Sequence, residues 1–147
     1  MKLKITNDRG IQILLSILKH NKIKKIIASP GTTNIAFVAS VQNDPYFEVY
    51  SCVDERSACY MACGLATESN EPVVLTCTGA TASRNYLSGL TEAFYRKIPI
   101  LAVTCAQHFG NIGNNIPQAI DRTATLKDVL YLSIQVPIIH SKDDEYG

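Results

Sequence analysis

Two adjacent carboxylates, Asp54 and Glu55, stand between the stretch F-E-V-Y-S-C-V and the stretch R-S-A-C-Y-M-A-C-G-L-A. The first stretch places Phe47, Val49, Tyr50 and Val53 in rough alternation, the pattern of a strand. The second places Ala58, Met61, Ala62 and Leu65 at the spacing of an amphipathic helix. A carboxylate at such a junction has two uses. It can cap the free amides of the incoming helix. It can also act as acid or base at the rim beyond the carboxyl ends of the strands, where open α/β sheets bind ligands. The reading adopted here gives the cap to Asp54 and the acid–base work to Glu55.

Other residues invite chemistry, each beside a plainer use. Ser29-Pro30-Gly31-Thr32-Thr33-Asn34 has the make-up of an anion-binding turn at a helix N-terminus, but it is neither G-x-x-x-x-G-K-[ST] nor G-x-G-x-x-G. A strand–helix turn with a Thr or Asn cap accounts for it better. Cys77, in L-T-C-T-G, has the position of a nucleophile with His108 as base, but Leu75 stands where a nucleophile elbow requires glycine. A buried structural cysteine is the preferred reading. Gly79 to Ser83 are small enough to let backbone approach a flat ligand, or to pack a helix tightly on a sheet. His108 is a proton carrier or a surface residue. Gln118 and Asp121, in Q-A-I-D-R, line a site or cap a following helix.

The elements that would position these groups alternate. A helix capped by Asn7 or Asp8 runs to about His20, followed by a strand at Ile23 to Ala28 and a helix from about Asn34 to Val41. After the Asp54–Glu55 junction come a doubly buried strand at Val73 to Thr78, the small-residue turn, a long helix from Arg84 to Tyr95 and a strand at Ile100 to Cys105. Gln107 to Gln118 reads as a loop, Ala119 to Val129 as a helix and Tyr131 to Val136 as a last strand. This order predicts an α/β fold, a doubly wound, mostly parallel sheet with helices on both faces. The polar, acidic tail, Ser141 to Gly147, reads as the start of a linker or an arbitrary cut.

With 147 residues, 46% of them hydrophobic and 18% charged, the chain suits one ordinary domain. A net charge of +1 offers no field to draw in nucleic acid or an anionic membrane, so neither is expected as a partner. No stretch has the length of a membrane span. Five cysteines set among apolar residues point to reduced thiols and a cytoplasmic protein, and without C-x-x-C pairs they predict no metal site.

Taken in order, S-P-G-T-T, V-D-E-R-S-A, G-L-A, P-V-V-L-T-C-T-G-A-T-A-S-R-N, A-F-Y-R-K-I-P-I-L-A-V-T and N-I-P-Q-A-I-D-R resemble the N-terminal pyrimidine-binding domain of thiamine-diphosphate-dependent enzymes. The resemblance runs from about Ile5 to Val136. The strand–D-E–helix joint, the small-residue turn and P-x-L-x-x-T are similar to acetohydroxyacid synthase and its relatives. S-P-G and Q-A-I-D look closer to the menaquinone-pathway succinyl-enolpyruvyl-hydroxycyclohexene-carboxylate synthases.

This resemblance implies a thiamine-diphosphate-binding fold and a lyase or transferase reaction, the decarboxylation or carboligation of a small 2-oxo acid. The glutamate matching Glu55 bonds a ring nitrogen of the cofactor's aminopyrimidine. Gly79, Ala80 and Thr81 would contact the cofactor or its neighbour, and Ser29, Thr32 and Gln118 would face substrate. Magnesium and the diphosphate belong to a G-D-G…N domain that nothing here matches. Residues 1–147 are therefore expected to be a single pyrimidine-binding domain, either a fragment or one subunit of a split enzyme, that is at least dimeric when complete. One departure concerns Thr32-Thr33, where the menaquinone-pathway synthases carry Ser-Arg. Two rivals stand beside this reading: a non-catalytic assembly or regulatory module of the same fold, and a flavodoxin-like nucleotide binder using Ser29 to Asn34.

Overall fold

The computed structural model describes residues 5–139 and 141. Four parallel strands form one sheet: β1 (Lys25–Ala28), β2 (Glu48–Ser51), β3 (Val73–Cys77) and β4 (Ile100–Thr104), in the order β2-β1-β3-β4. The register pairs Ile26 with Val49 on one side and Val74 on the other, and Cys77 with Thr104 across the β3–β4 pair. The order reverses between β1 and β3, the kind of switch point beyond whose carboxyl ends open α/β sheets bind ligands.

Helices cover both faces, as the alternation predicts. α1 (Arg9–His20) and α2 (Ile35–Gln42) pack Leu15, Leu18, Phe37 and Val41 against Ile26 and Val74. On the other face, α3 (Glu55–Ser69), α4 (Ala80–Arg84) and α5 (Leu87–Arg96) bring Ala58, Ala62, Ala82 and Leu90 against Ile27, Val73 and Leu75. The split follows from the period of two along a strand, which sends successive side chains to opposite faces. β3 has helices on both sides, and all five of its residues are buried. Each buried Val or Leu there contributes about 1.5–3 kcal/mol.

The helix ends are chemically marked. Asp8 caps α1 by accepting from the Ile11 amide at 2.9 Å, and Lys19 and His20 sit in its last turn, where cations favour the carbonyl end. α3 ends on Asn70 and α5 on Lys97, both left-handed, and Pro72 and Pro99 follow shortly after. Near the amino edge, Lys25 pairs with Glu71 and Lys24 with Glu48. Among the described residues, no helix is long and apolar enough to cross a membrane.

Three expectations are corrected. The helix expected from Arg84 to Tyr95 is two helices, and most of the small-residue turn is itself helical, α4 beginning at Ala80. Between them, Asn85 and Tyr86 bond back only three residues, which turns the axis and seats the Tyr86 ring wholly in the core. Ala119 to Val129 is not helical. There Asp121 accepts from the Thr123 amide at 2.9 Å and from its hydroxyl at 2.7 Å, a local turn that competes with a helix. Tyr131 to Val136 forms no strand and pairs with no strand among the described residues. The tail expected from Ser141 lies outside the described residues except for Ser141 itself.

Candidate active site

The carboxyl edge of the sheet gathers the groups that the sequence singles out. At the end of β2, the Asp54 carboxylate accepts from the Ser57 amide at 2.7 Å and caps α3. That bond holds its pKa below the ordinary carboxylate value. Glu55 is the first helical residue. It is half-buried and makes no hydrogen bond or ion pair with any described residue. The two adjacent acids therefore differ in kind: one is committed to the backbone and the other is available.

Beside them, β3 runs into Thr78 and Gly79. Gly79 and Ala80 are both buried, and Thr81 is exposed. A Cβ on Gly79 would fall 2.5 Å from the Gln118 Oε1 and 3.1 Å from its Cβ, so the Gln118 side chain lies directly over this glycine. Gln118 is exposed, with a left-handed backbone, and its Oε1 accepts from the Thr81 hydroxyl at 3.0 Å. Three expected site residues, Gly79, Thr81 and Gln118, thus meet across 37 residues of sequence.

Ser29 and Thr32 part company. Ser29 is buried, and its hydroxyl donates to the Cys52 carbonyl at 2.7 Å, which ties the loop after β1 to the loop after β2. Thr32 is exposed at the start of a short 3-10 turn, Thr32–Asn34. Asn34, wholly buried, organises that turn: its Oδ1 accepts from the Gly31 amide at 2.8 Å and its Nδ2 donates to the Ser29 carbonyl at 3.1 Å. The Gly31 amide is thus engaged internally, which favours the plain-turn reading over an anion site.

The floor of the edge is neutral. Burial pushes the Cys77 thiol up to about 11, with the nearby charge of Glu55 adding to the effect. Such a thiol is a poor nucleophile at neutral pH. Burial likewise raises the Tyr86 phenol, whose oxygen meets no hydrogen-bond partner among the described residues. His108 caps a short turn, its Nδ1 accepting from the Gly110 amide at 3.0 Å. All five cysteines are free thiols. Among the described residues, no three His, Cys, Asp or Glu side chains converge as a metal site.

Sequence reasoning gave Asn34 no more than a capping role and did not single out Arg122 as a site residue. The signal for Asn34 was its place three residues after a turn glycine. Arg122 gave none beyond its neighbourhood: its guanidinium reaches the carbonyls of Thr78 and Thr104, at the ends of β3 and β4.

A parallel sheet with a switch point, a free acid at one strand tip and a small-residue turn at another define a ligand-binding α/β domain. The comparisons make the class specific. Residues 8–125 match the model of the thiamine pyrophosphate enzyme N-terminal TPP binding domain, and the chain belongs to that family. It is 42% identical over 99 residues to 2-succinyl-5-enolpyruvyl-6-hydroxy-3-cyclohexene-1-carboxylate synthase of Porphyromonas gingivalis, covering 67% of this chain and 17% of that protein. It is 29% identical over 141 residues to the enzyme of the same name from Phocaeicola vulgatus, covering 96% of this chain and 25% of that one. The chain thus spans at most a quarter of these relatives' length. The fold is shared with thiamine diphosphate-dependent 4-hydroxybenzoylformate decarboxylase of Rhodococcus jostii RHA1, at TM-score 0.70 and 18% identity, over 77% of this chain and 21% of that one. It is shared also with benzoylformate decarboxylase of Polynucleobacter necessarius, at TM-score 0.66 and 19% identity, over 74% of this chain and 20% of that one.

Proposed function

We propose that this chain supplies the pyrimidine-holding half of an active site that decarboxylates or ligates a small 2-oxo acid, as part of a cytoplasmic thiamine-diphosphate enzyme. The observation that carries the reading is Glu55: a half-buried carboxylate at a strand tip, bonded to no described residue, beside a capping acid that is fully engaged. An internal ion pair would have removed it from service.

The residues present fit a pyrimidine ring. Gly79 and Ala80 present almost no side chain toward a flat group, and Glu55 can share a proton with a ring nitrogen. Thiamine diphosphate, when bound, supplies an electron sink for the carbon that loses its carboxylate. Glu55 holds and returns the proton at the ring nitrogen, work of general acid–base type. Thr81 and Gln118 hold each other at the rim, and Gln118 with Thr32 faces the substrate side. Ser29, bonded to the Cys52 carbonyl, fixes the spacing of the β1 and β2 loops.

In this reading the diphosphate and magnesium are held by a separate domain or subunit, and the complete enzyme is a dimer or larger. Residues 1–147 are one pyrimidine-binding domain of that enzyme. The test is Glu55→Gln in the complete, cofactor-loaded enzyme. The expected result is a kcat lower by about 10²–10⁴-fold, with stability changed by less than about 1 kcal/mol. Unchanged turnover would remove Glu55 from the reaction and leave the non-catalytic module as the better account.

A further inference from the structure

Two groups lay claim to one surface at the tip of β3. The reading above rests a flat ring against Gly79, because a glycine leaves its side-chain direction open to a ligand. In this structure the protein itself takes up that direction. A Cβ built on Gly79 would lie 2.5 Å from the Gln118 Oε1, 3.1 Å from its Cβ and 3.2 Å from its Cδ. Gly79 is buried beneath this side chain, although it follows directly on the strand end. The Thr81 hydroxyl holds the cover in place, donating to the Gln118 Oε1 at 3.0 Å. The Gln118 backbone is left-handed, at φ +63°, a conformation that is costly for a residue with a side chain. Such a backbone persists only where its surroundings enforce it, and ligand clamps and switches are where it gathers. The other supports are local: Gln107 Nε2 donates to the Pro117 carbonyl at 3.2 Å, and the Ala119 amide to the Ile116 carbonyl at 3.1 Å.

Resting on the reading above, we propose that Thr81 and Gln118 form a latch over Gly79, which the pyrimidine ring of the cofactor must open before it can rest there. A swing of Gln118 is the cheap way to open it. Thr81 and Gln118 are exposed, whereas Gly79 and Ala80 are buried at the end of a wholly buried strand. Opening breaks one side-chain bond and lets the Gln118 backbone leave the left-handed region, while moving Gly79 would disturb the packing of β3. Molecules with the latch closed do not take the ring, so the apparent affinity is the intrinsic one reduced by the open fraction. A single exposed hydroxyl–amide bond is weak in net terms, so that reduction is modest. The same step frees the Gln118 amide, which the reading above turns toward substrate. Gln118 therefore becomes available once the ring is seated.

The experiment is isothermal titration calorimetry of the complete, cofactor-free enzyme with thiamine diphosphate and magnesium, for wild type, Thr81→Val and Gln118→Ala. Thr81→Val keeps the size of the side chain and removes the donor, and Gln118→Ala removes the cover. Inorganic diphosphate with magnesium is the control probe, since it has the anion and no ring. The expected result is a Kd for thiamine diphosphate lowered about 3- to 10-fold in both variants. The Kd for inorganic diphosphate stays within about twofold, because a probe that meets open and closed forms alike is unaffected. The sign separates this from a plain contact, whose loss would raise the Kd. An unchanged or raised Kd for thiamine diphosphate in either variant overturns the latch. An equal fall for inorganic diphosphate also overturns it, by placing the change away from the ring. If wild type binds no thiamine diphosphate, the underlying reading fails and the latch falls with it. Binding by wild type without a gain in the variants removes the latch alone.

Discussion

The joint from Phe47 to Ala66 and the segment after β4 lie at the same sheet edge yet differ in every physical respect. The joint carries its own support. Asp54 closes the first turn of α3, and Ala58, Cys59, Ala62 and Ala66 bury against the sheet. Beyond Cys105 the described residues carry one short 3-10 turn, Phe109–Asn111, and otherwise no helix or strand, with contacts such as Gln118 on Thr81, Arg122 on two carbonyls and Tyr131 tilted against Phe94 at 4.6 Å. Leu132 and Ile134 remain 72% and 70% exposed. The difference teaches that the acid at the sheet edge stands on a helix with its own cap and buried face, while Gln118 and Arg122 sit on a segment held by a few side-chain contacts.

Substitutions at the two places should separate them by size of effect. Leu75→Ala, in wholly buried β3, should cost about 2–5 kcal/mol in chemical denaturation. A loss below about 1 kcal/mol would mean the core around the joint relaxes far more than its packing implies. Gly89→Ala probes the seam between α3 and α5, where an added Cβ would lie 2.5 Å from the Cys59 sulfur and 2.7 Å from its Cβ. Overpacking of about 1–3 kcal/mol is expected, read as a lower urea midpoint, and a neutral result would show that the seam is loose.

Asp54→Ala should lower the urea midpoint modestly, with a pH signature. The Asp54 pKa is depressed in the fold by the Ser57 amide, so its contribution is present above the unfolded carboxylate pKa and is lost as pH falls through the folded one. The gap between wild type and variant should therefore narrow below roughly pH 4. A gap that persists unchanged at pH 2 would show that the cap does not act through its charged form. Leu132→Ser, in the exposed segment, should move stability by no more than about 0.5 kcal/mol. A larger loss measured on this chain would mean that the segment packs more firmly than its exposure implies.

What the sequence made legible follows the same division. Wherever an element completes itself locally, the residues announce it: Asp54 before a helical pattern, the apolar run of β3, prolines after the ends of α3 and α5. The split of the helix after Gly79 was hidden, because burying the Tyr86 ring decides it and burial is a tertiary fact. The expected helix at Ala119 to Val129 failed to a turn built by Asp121 on Thr123. The expected strand at Tyr131 to Val136 has strand composition but no described neighbour to pair with. At the site, the capping of α3 by Asp54 could be read from order alone. The meeting of Gly79 with Gln118, and the reach of Arg122, could not, since both depend on a loop crossing the sheet edge.

The most direct measurement is a crystal structure of the complete enzyme with thiamine diphosphate bound. The account predicts a Glu55 carboxylate oxygen at hydrogen-bonding distance, about 2.6–3.2 Å, from a nitrogen of the pyrimidine ring, with Gly79 and Ala80 against the cofactor. A pyrimidine seated elsewhere, or a Glu55 paired with a protein cation while the ring nitrogen meets another group, would contradict it.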